Sequence, residues 1–388
     1  MPPPAQRTDA ASRPDPATNS ARPVDGDGSA VPGAAGSGSG GYGSAAGADG
    51  KRRPRARRTT LVAGLVACIA LLVLVCLLSI AVGSKQIPLA TVLDALRHYN
   101  EADTDHVIVR SLRVPRTLIG LLVGAALGLS GALMQGVTRN PLADPGILGV
   151  NGGAALFVVA GIYWFGLNSL TSYVWLAFAG AAAASVAVYM LGSLGREGAT
   201  PVKLALAGAA MTAMLGSLTT ALLIGDVNTF DQFRFWAVGS LAGRGSDVAE
   251  QVAPFILIGI VLALLSGRVL NALSLGDDVA RSLGQRVGLA RVFTAITVVL
   301  LCGAATAAAG PIGFIGLTIP HVARLVTGPD YRWILPYSML LAPILLLGSD
   351  VIGRIVAQPG ELQVGIVTAV IGAPFFIALV RRRKLADL

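Results

Sequence analysis

The 388-residue chain is 54% hydrophobic and only 13% charged, with a mean hydropathy of +0.69. A soluble protein of this length carries about twice that charged fraction, so the composition excludes an ordinary soluble domain. The net charge of +9 does not indicate nucleic-acid binding, because residues 1–58 carry +4 of it and the last eight residues +3. Basic ends beside apolar helices fit the positive-inside rule instead.

The N-terminal segment has a composition that cannot bury enough surface to fold. Residues 1–50 are mostly Pro, Gly, Ala, Ser and Asp, with almost no aromatic or branched side chains. The basic stretch KRRPRARR at 51–58 then precedes an apolar run over 61–82. A signal peptide also begins with a basic region, but this run is long for one and no clear cleavage site follows it. We predict a disordered, basic-ended cytoplasmic leader over 1–58 and a membrane domain over 59–388 that begins with a retained transmembrane helix.

The rest of the chain consists of repeated apolar runs of about twenty residues, the length that a helix needs to cross roughly 30 Å of hydrocarbon. Ten transmembrane helices are predicted, over residues 61–82, 117–136, 146–165, 170–194, 201–224, 248–267, 291–309, 312–326, 333–356 and 364–380. The run at 312–326 is the least regular, because it is short and contains Pro320, His321 and Arg324. The distribution of Lys and Arg among the connections places both termini in the cytoplasm. The predicted fold class is an all-α integral membrane protein.

The second predicted helix carries a regular row of small residues. Gly120, Gly124 and Gly128 recur every four residues, and small residues at this spacing let helix backbones approach closely in lipid. We therefore predict that this helix packs tightly at the centre of the bundle. The alternative is chance spacing, since glycine supplies 48 of the 388 residues.

The stretch GALMQGVTRNPLADPGILGVNGG at 131–153 separates two apolar runs with polar and rigid residues. Pro141 and Pro145 stop the chain from continuing as a helix. Asp144 and Asn151 can satisfy backbone groups that such a turn leaves without partners. We interpret the stretch as a rigid elbow on the cytoplasmic side, and not as the place where a solute is held.

Few residues suggest catalytic or metal chemistry. Cys68, Cys76 and Cys302 lie in apolar runs without a CxxC pair or a nearby histidine, so neither a disulfide nor a zinc site is predicted. The chain has no G-x-x-x-x-G-K-[ST] phosphate loop and no HExxH motif. We expect no bound cofactor, no metal site and no catalytic residue in this chain.

Asp350 is the clearest acidic residue within an apolar run, and Arg354 lies four residues later on the same helix face. A charged pair inside a membrane is a functional candidate, but an ion pair at the outer end of a helix explains it equally well. No ionisable cluster lies deep in the predicted helices. The energy for uphill transport would therefore have to come from a partner.

Three blocks of sequence resemble the FecCD family of permeases, the membrane subunits of ABC importers for iron–siderophores, haem and vitamin B12. The first block runs from RVPRTLIGLLVG at 113–124 through the elbow. The second is LGDDVARSLGQRVGLAR at 275–291, and the third runs from GPIGFIGLTIPHVARLV at 310–326 to ELQVGIVTAVIGAPFF at 361–376. The resemblance covers residues 59–384 in the family's order and spacing, and it excludes the leader.

The resemblance implies a type II ABC importer permease fold, with ten helices per subunit and two subunits around one central path. The second subunit would be another copy or a paralogue, and a separate ATPase that uses ATP and Mg²⁺ would lie under each. An extracytoplasmic binding protein would deliver the ligand at the cell membrane. The segment FWAVGSLAGR at 235–244 resembles siderophore permeases more than vitamin B12 permeases. A ferric siderophore is therefore the expected cargo, and haem or vitamin B12 is the alternative.

The resemblance also implies a short cytoplasmic coupling helix, seated on the ATPase, between the sixth and seventh spans. The matching residues are Leu275, Gly276, Asp277, Asp278, Ala280, Arg281, Leu283 and Gly284. Leu275, Val279 and Leu283 lie at i, i+4 and i+8 with polar residues between them, a pattern that suits a docking helix. An ordinary amphipathic interfacial helix would give the same pattern.

Two arginines match positions that the family presents to acidic residues of the binding protein. These are Arg113 and Arg354, and bidentate arginine–carboxylate contacts there would orient the docked protein. The alternative for Arg113 is a snorkelling residue at the start of a helix. The alternative for Arg354 is the intramolecular pair with Asp350.

Two further segments receive roles from the resemblance. The turn GATPVK at 198–203 corresponds to the cytoplasmic constriction of the path, with Thr200 and Pro201 as the predicted gate residues. The segment FRFWAVGSLAGR at 233–244 would be a short extracellular helix. Its Phe235 and Trp236 also suit an interfacial aromatic belt.

Two other classes of protein provide alternatives to an ABC permease. An ion-coupled secondary transporter would need buried carboxylates or an ion site near the middle of the bilayer, and the sequence offers no convincing one. A membrane-embedded enzyme would need histidines or carboxylates gathered on facing helices. Uptake that follows an ion gradient instead of ATP would favour the secondary transporter.

Overall fold

The computed structural model describes residues 54–194 and 200–381, and within them the chain is helical without a β-strand. The helices are α1 (Pro54–Ala81), α2 (Leu89–Arg97), α3 (Thr104–Val107), a π-helix (Ile108–Arg113), α4 (Val114–Thr138), a 3-10 helix (Pro145–Leu148), α5 (Val150–Phe165), α6 (Leu170–Ser193), α7 (Pro201–Gly225), α8 (Val227–Ala237), α9 (Ser246–Leu265), α10 (Gly267–Ser274), α11 (Asp277–Ser282), α12 (Val287–Ala309), α13 (Ile315–Thr327), α14 (Tyr331–Val356) and α15 (Val364–Arg381). The predicted all-α fold class is confirmed. Residues 1–53 of the predicted leader lie outside the described residues, and α1 begins at Pro54, within the last residues assigned to that leader.

Seven helical segments of the described chain are long and apolar enough to cross a membrane. Three further apolar helices, α5, α13 and α15, are shorter than these. Each predicted span coincides with one of these ten helical segments, so the hydropathy pattern located the apolar helices correctly. The number of segments that cross the bilayer and the side on which each terminus lies stay predictions.

The helix α4 is the centre of the bundle. In its segment, 89% of the most apolar window is buried inside the protein, compared with 6% for α1. It packs against α14, α12, α13 and α9, so nearly every face of it meets another helix. Such a helix needs small side chains wherever a neighbouring backbone comes close.

Gly120, Gly124 and Gly128 all face α14. A Cβ atom added at Gly124 would lie 2.5 Å from the Cα atom of Pro343, and one added at Gly128 would lie 2.5 Å from the carbonyl oxygen of Ser338. These distances are shorter than real Cβ contacts, so the two helices approach more closely than any larger residue permits. The structure thus places the predicted row of glycines at the tightest contact of α4 with α14.

The elbow between α4 and α5 closes through its own side chains. The helix α4 ends at Arg139, whose backbone is left-handed with φ 52°. The carboxylate of Asp144 accepts a hydrogen bond from the Gly146 amide at 2.8 Å, as predicted for a turn of this kind. Asn151 does not serve the turn, because its side-chain oxygen accepts from the Thr306 hydroxyl of α12 at 3.0 Å. The prediction for Asn151 was therefore wrong: it joins two helices.

The helix predicted at 233–244 lies earlier in the chain. It is α8, Val227–Ala237, and it begins where the Asp226 carboxylate accepts from the Thr229 amide at 2.9 Å. Phe235 is exposed, but Trp236 is buried and its ring packs 5.7 Å from that of Phe233. The aromatic-belt interpretation is wrong for Trp236, because this side chain belongs to the core.

Candidate functional site

The first candidate site is an ion-pair cluster formed by Arg116, Asp350, Arg354 and Glu361, which we call the arginine cluster. The fully buried carboxylate of Asp350 accepts hydrogen bonds from Arg354 and from Arg116, each at 2.7 Å. Arg116 also donates to Glu361 at 2.7 Å. The i, i+4 spacing identified only the Asp350–Arg354 pair. Arg116 is 234 residues from Asp350 in the chain, so no local pattern could have indicated its role.

Arg113 and Arg354 both stabilise the C-terminal end of α1. Arg113 donates to the carbonyl oxygens of Ile80 and Ala81 at 3.0 and 2.6 Å. Arg354 donates to those of Ser79 and Val82 at 2.8 and 2.7 Å. The last carbonyl groups of a helix have no partners within the helix, and cationic donors there are favourable.

Neither of these arginines is exposed in the isolated chain. Arg113 retains 5% of its accessible surface and Arg354 retains 1%. Gly83 is necessary for this arrangement, because a Cβ atom there would lie 2.6 Å from a terminal nitrogen of Arg113. The structure therefore gives both residues an intramolecular role, and their docking to a binding protein stays a prediction.

Glu361 remains ionised in the arginine cluster. Burial by itself raises the pKa of its carboxyl group, but the hydrogen bonds from Arg116 and Ser84, together with the charges of Arg116 and Arg354, outweigh burial and lower the pKa below the ordinary glutamate value. Because the folded-state pKa is the lower one, the stabilising contribution of Glu361 is present above the unfolded-state pKa. It is lost as the pH falls through the folded-state value.

A cavity of about 310 Å³ lies beside the arginine cluster. Its walls come from the α1–α2 connection, the π-helix, the start of α4, the α8–α9 connection and the end of α14. Lys85 and Arg244 line it together with the cluster residues. Five basic side chains therefore surround one cavity.

The second candidate site is the short helix α11, Asp277–Ser282, at the position predicted for the coupling helix. Leu275, Val279 and Leu283 are all exposed, whereas Ala280 is fully buried. Asp278 and Arg281 form an ion pair of 2.8 Å on the exposed side. An apolar strip with polar neighbours is the surface expected of a protein contact.

The two glycines that flank α11 have backbones that favour glycine. Gly276 has φ 108° and Gly284 has φ 81°, values that other residues rarely adopt. The amide of Gly284 donates to the Arg281 carbonyl oxygen at 2.9 Å and so closes the helix. These two residues fix where the short helix starts and stops.

Asp277 points away from the exposed strip and fixes α11 to the bundle. Its carboxylate accepts from Arg139 of the elbow at 3.0 Å and from Arg291 of α12 at 2.8 Å. Arg139 is 138 residues from Asp277 in the chain. The elbow thus does more than reverse the chain, because it holds the helix predicted to contact the ATPase.

Replacing Asp277 with Asn is expected to loosen α11 without unfolding the bundle. The change removes a partly exposed charge from two arginine pairs, which corresponds to about 1 kcal/mol or about fivefold faster opening. Hydrogen exchange of the amides in 277–284 of the purified protein measures this. Asp278→Asn is the matched control, since the ion pair that Asp278 forms within the described residues is with Arg281 on the exposed side. Equal exchange rates in the two variants would contradict the anchoring role.

Thr200 and Pro201 begin α7. The hydroxyl oxygen of Thr200 accepts from the amide of Lys203 at 3.4 Å, and Pro201 is the first helical residue. Residues 198 and 199 of the predicted gate turn lie outside the described residues. The structure gives Thr200 a capping role, and the gate assignment stays a prediction.

The sequence of this chain matches one known protein family over most of its length. The profile of the FecCD transport family matches residues 71–382. The chain belongs to the FecCD transport family. The match includes the arginine cluster, the elbow and α11, so both candidate sites lie within the FecCD region.

Individual FecCD relatives are similar over most of their length. The ferric enterobactin transport system permease protein FepD of Escherichia coli is 48% identical over 313 residues, which are 81% of this chain and 93% of FepD. The probable siderophore transport system permease protein YfiZ of Bacillus subtilis is 45% identical over 320 residues, 80% of this chain and 96% of YfiZ. A solved metal-chelate type ABC transporter in an inward-facing conformation has a TM-score of 0.71 and 28% identity, covering 82% of this chain and 98% of that chain. The FecCD fold identified from sequence is confirmed.

Proposed function

We propose that this chain is the permease subunit of an ABC importer for ferric siderophores, driven by separate ATPase subunits. The observation that carries the proposal is α11, whose apolar strip of Leu275, Val279 and Leu283 is exposed while Asp277 ties it to α4 and α12. A helix that is fixed on one side and exposed on the other suits the transfer of motion from a partner. Membership in a transport family supports the same function.

The proposed mechanism uses this connection. A loaded binding protein docks outside the cell membrane, and ATP binding brings two ATPase subunits together beneath the permease. Their movement displaces α11, and the Asp277 contacts pass the displacement to the ends of α4 and α12. The bundle then opens the path to the cytoplasm. The sequence contains no G-x-x-x-x-G-K-[ST] phosphate loop, and ATP and Mg²⁺ are proposed to act in the partner.

A second permease copy or a paralogue is proposed to face α7. Only 17% of the most apolar window of α7 is buried inside the subunit, and Leu206, Met214 and Ile224 are exposed along it. Such a helix offers apolar surface for another subunit and for the wall of a shared path, and the gate turn at its start favours α7 over α1, of which only 6% is buried. Thr200 and Pro201, at the start of α7, are the proposed gate residues.

The proposed cargo is a ferric siderophore. It is supported by the siderophore transport systems named for FepD and YfiZ and by the FWAVGSLAGR segment. Selectivity would lie mainly in the binding protein, which would dock near Arg113 and Arg354. Import of haem or vitamin B12 would instead require a binding protein that carries one of those two ligands.

Purification from native membranes tests the proposal. An ATPase that contains a phosphate loop should accompany this chain through mild detergent extraction, and the matching binding protein should carry an iron chelate. A binding protein loaded with haem or vitamin B12 would overturn the siderophore as the cargo and leave the proposed importer function intact. A chain that purifies without an ATPase, and that no ATPase binds on mixing, would contradict the proposed function.

A further inference from the structure

An elongated groove of about 410 Å³ lies between α6 and α12. Its α6 wall is one helix face, since the lining positions follow the i, i+4, i+7 and i+11 spacing of Phe178, Ala182, Ser185 and Tyr189. The wall continues to Met190, so it is about 18 Å long at roughly 1.5 Å per residue. That length is close to one leaflet of a hydrocarbon core about 30 Å thick.

The groove opens on the outer surface of the helix bundle. Val186, Met190 and Ile296 line it and are each more than half exposed. Both walls belong to helices that are long and apolar enough to cross a membrane. Lipid chains therefore surround the groove when the chain is in a bilayer, and its shape admits one of them lengthwise.

Ser185 places a hydroxyl group inside this apolar groove. The residue is 4% exposed, and its hydroxyl oxygen has no hydrogen-bond partner among the described residues. Serine hydroxyls within helices commonly donate to the carbonyl group four residues earlier, as Ser217 does in α7. A buried hydroxyl without a partner is destabilising. A ligand that brings an acceptor into the groove, such as an ester carbonyl, would therefore complete the site.

Two contacts show which ends of α6 and α12 lie together. A Cβ atom added at Gly303 of α12 would lie 3.4 Å from the ring of Phe178, and one added at Gly149 of the elbow would lie 3.3 Å from Val188. The elbow also lies at the start of α12, to which the contacts of Asp277 join it. The C-terminal end of α6 therefore lies beside the start of α12.

The mouth of the groove, which Tyr189, Met190 and Val292 form at this end, is close to positive charge. Arg286 is exposed and precedes Val292 by six residues, about 9 Å along the chain direction of α12. It stands at the start of the helix, where the helix dipole also favours an anion. A phosphate group at the mouth would be attracted there while its acyl chain follows the groove.

We propose that this groove binds an acyl chain of an anionic phospholipid, with the phosphate group at the mouth and an ester carbonyl that accepts from Ser185. Such a lipid supplies the three features that the groove suits: an apolar chain, an acceptor between chain and headgroup, and a negative charge. The inference goes beyond the proposed function and does not depend on it, because it concerns how the chain sits in its membrane.

Photolabelling of the purified chain in mild detergent tests the site. The probe is phosphatidylglycerol with a diazirine on one acyl chain, and peptide mass spectrometry measures the label on α6 and α12 relative to that on α1. The α1 segment is the reference for unspecific contact, since only 6% of its most apolar window is buried. In the wild type, the label should be concentrated on the two walls of the groove.

Ala182→Phe should reduce the label on α6 and α12 about tenfold, because the added ring fills the groove and displaces several methylene groups of the lipid. Ala183→Phe is the matched control, since it makes the same change one residue later, at an exposed position outside the groove. The control should match the wild type. If Ala182→Phe fails to fold, Ser185→Ala removes a single oxygen atom and should reduce the label about fivefold.

Competition by unlabelled lipids tests the headgroup. Phosphatidylglycerol should displace the probe about fivefold more effectively than phosphatidylcholine, the factor expected for one arginine beside an anionic lipid. The difference should vanish in Arg286→Gln. It should persist in Arg268→Gln, because Arg268 is an exposed arginine of α10 outside the groove.

Each contrary outcome is distinct. Equal labelling of the groove in Ala182→Phe and in Ala183→Phe would overturn the site. Equal competition by the two phospholipids in the wild type would overturn the anionic ligand. If oleate displaces the probe and neither phospholipid does, the groove takes a free fatty acid and the proposal is wrong.

Discussion

Asp350→Ala is expected to destabilise the protein by about 3–5 kcal/mol, because it leaves the buried guanidinium group of Arg354 without a carboxylate partner and removes one of the two carboxylates paired with Arg116. Asp350 accepts from both Arg116 and Arg354, and its side chain is only 1% exposed. Arg354 also holds the last carbonyl groups of α1. The loss should therefore loosen the contact of α1 with α14 as well as the ion pairs.

The free energy of unfolding or the melting temperature of the protein in detergent micelles measures this effect. Glu361→Ala is the matched control, because it removes one partly exposed carboxylate and leaves Arg116 paired with Asp350. A loss of about 1 kcal/mol or less is expected for the control. Similar losses in the two variants would show that the buried position of Asp350 has no special importance.

Gly124→Ala is expected to destabilise the bundle by about 1–3 kcal/mol through overpacking. The added Cβ atom would lie 2.5 Å from the Cα atom and 2.7 Å from the nitrogen of Pro343. These are backbone atoms, so the contact cannot be relieved by a rotamer change and α4 would have to move away from α14. The change in unfolding free energy in micelles checks this.

The direction of the change in unfolding free energy distinguishes overpacking from the intrinsic helix preference of alanine. Alanine is intrinsically better than glycine within a helix by about 1 kcal/mol, so a glycine with free space beside it should be improved by the same change. Gly348 of α14 has no atom within 4 Å of its Cβ position. Gly348→Ala should thus be neutral or stabilising. If Gly124→Ala stabilises the protein as well, the close approach of α4 and α14 is not a constraint.

The sequence predicted those features that depend on neighbouring residues. Apolar runs located the helices that can cross a membrane, since hydropathy is a property of each run by itself. The Asp350–Arg354 pair followed from the helix period, and the prolines of the elbow marked the end of α4. The position of α11 came from the resemblance, and its apolar strip was visible as an i, i+4, i+8 pattern.

Contacts between distant segments could not be predicted in this way. Arg139 and Asp277, and likewise Arg116 and Asp350, meet only because the helices between them fold back. The same applies to the contacts of Arg113 and Arg354 with the end of α1. Their partners there are backbone carbonyl groups, which every residue has, so the order of side chains cannot indicate them. Trp236 was misplaced because an aromatic residue near a predicted interface looks alike whether it faces lipid or the core.

Uptake into vesicles tests most directly whether a partner ATPase drives this permease. Complexes reconstituted with the binding protein are given iron-loaded siderophore, and transported iron is measured with ATP on the ATPase side or with an imposed proton or sodium gradient. Uptake should require ATP and the binding protein, and it should persist when the ion gradients are collapsed. Uptake that proceeds without ATP and disappears with the ion gradient would contradict the account and identify an ion-coupled transporter.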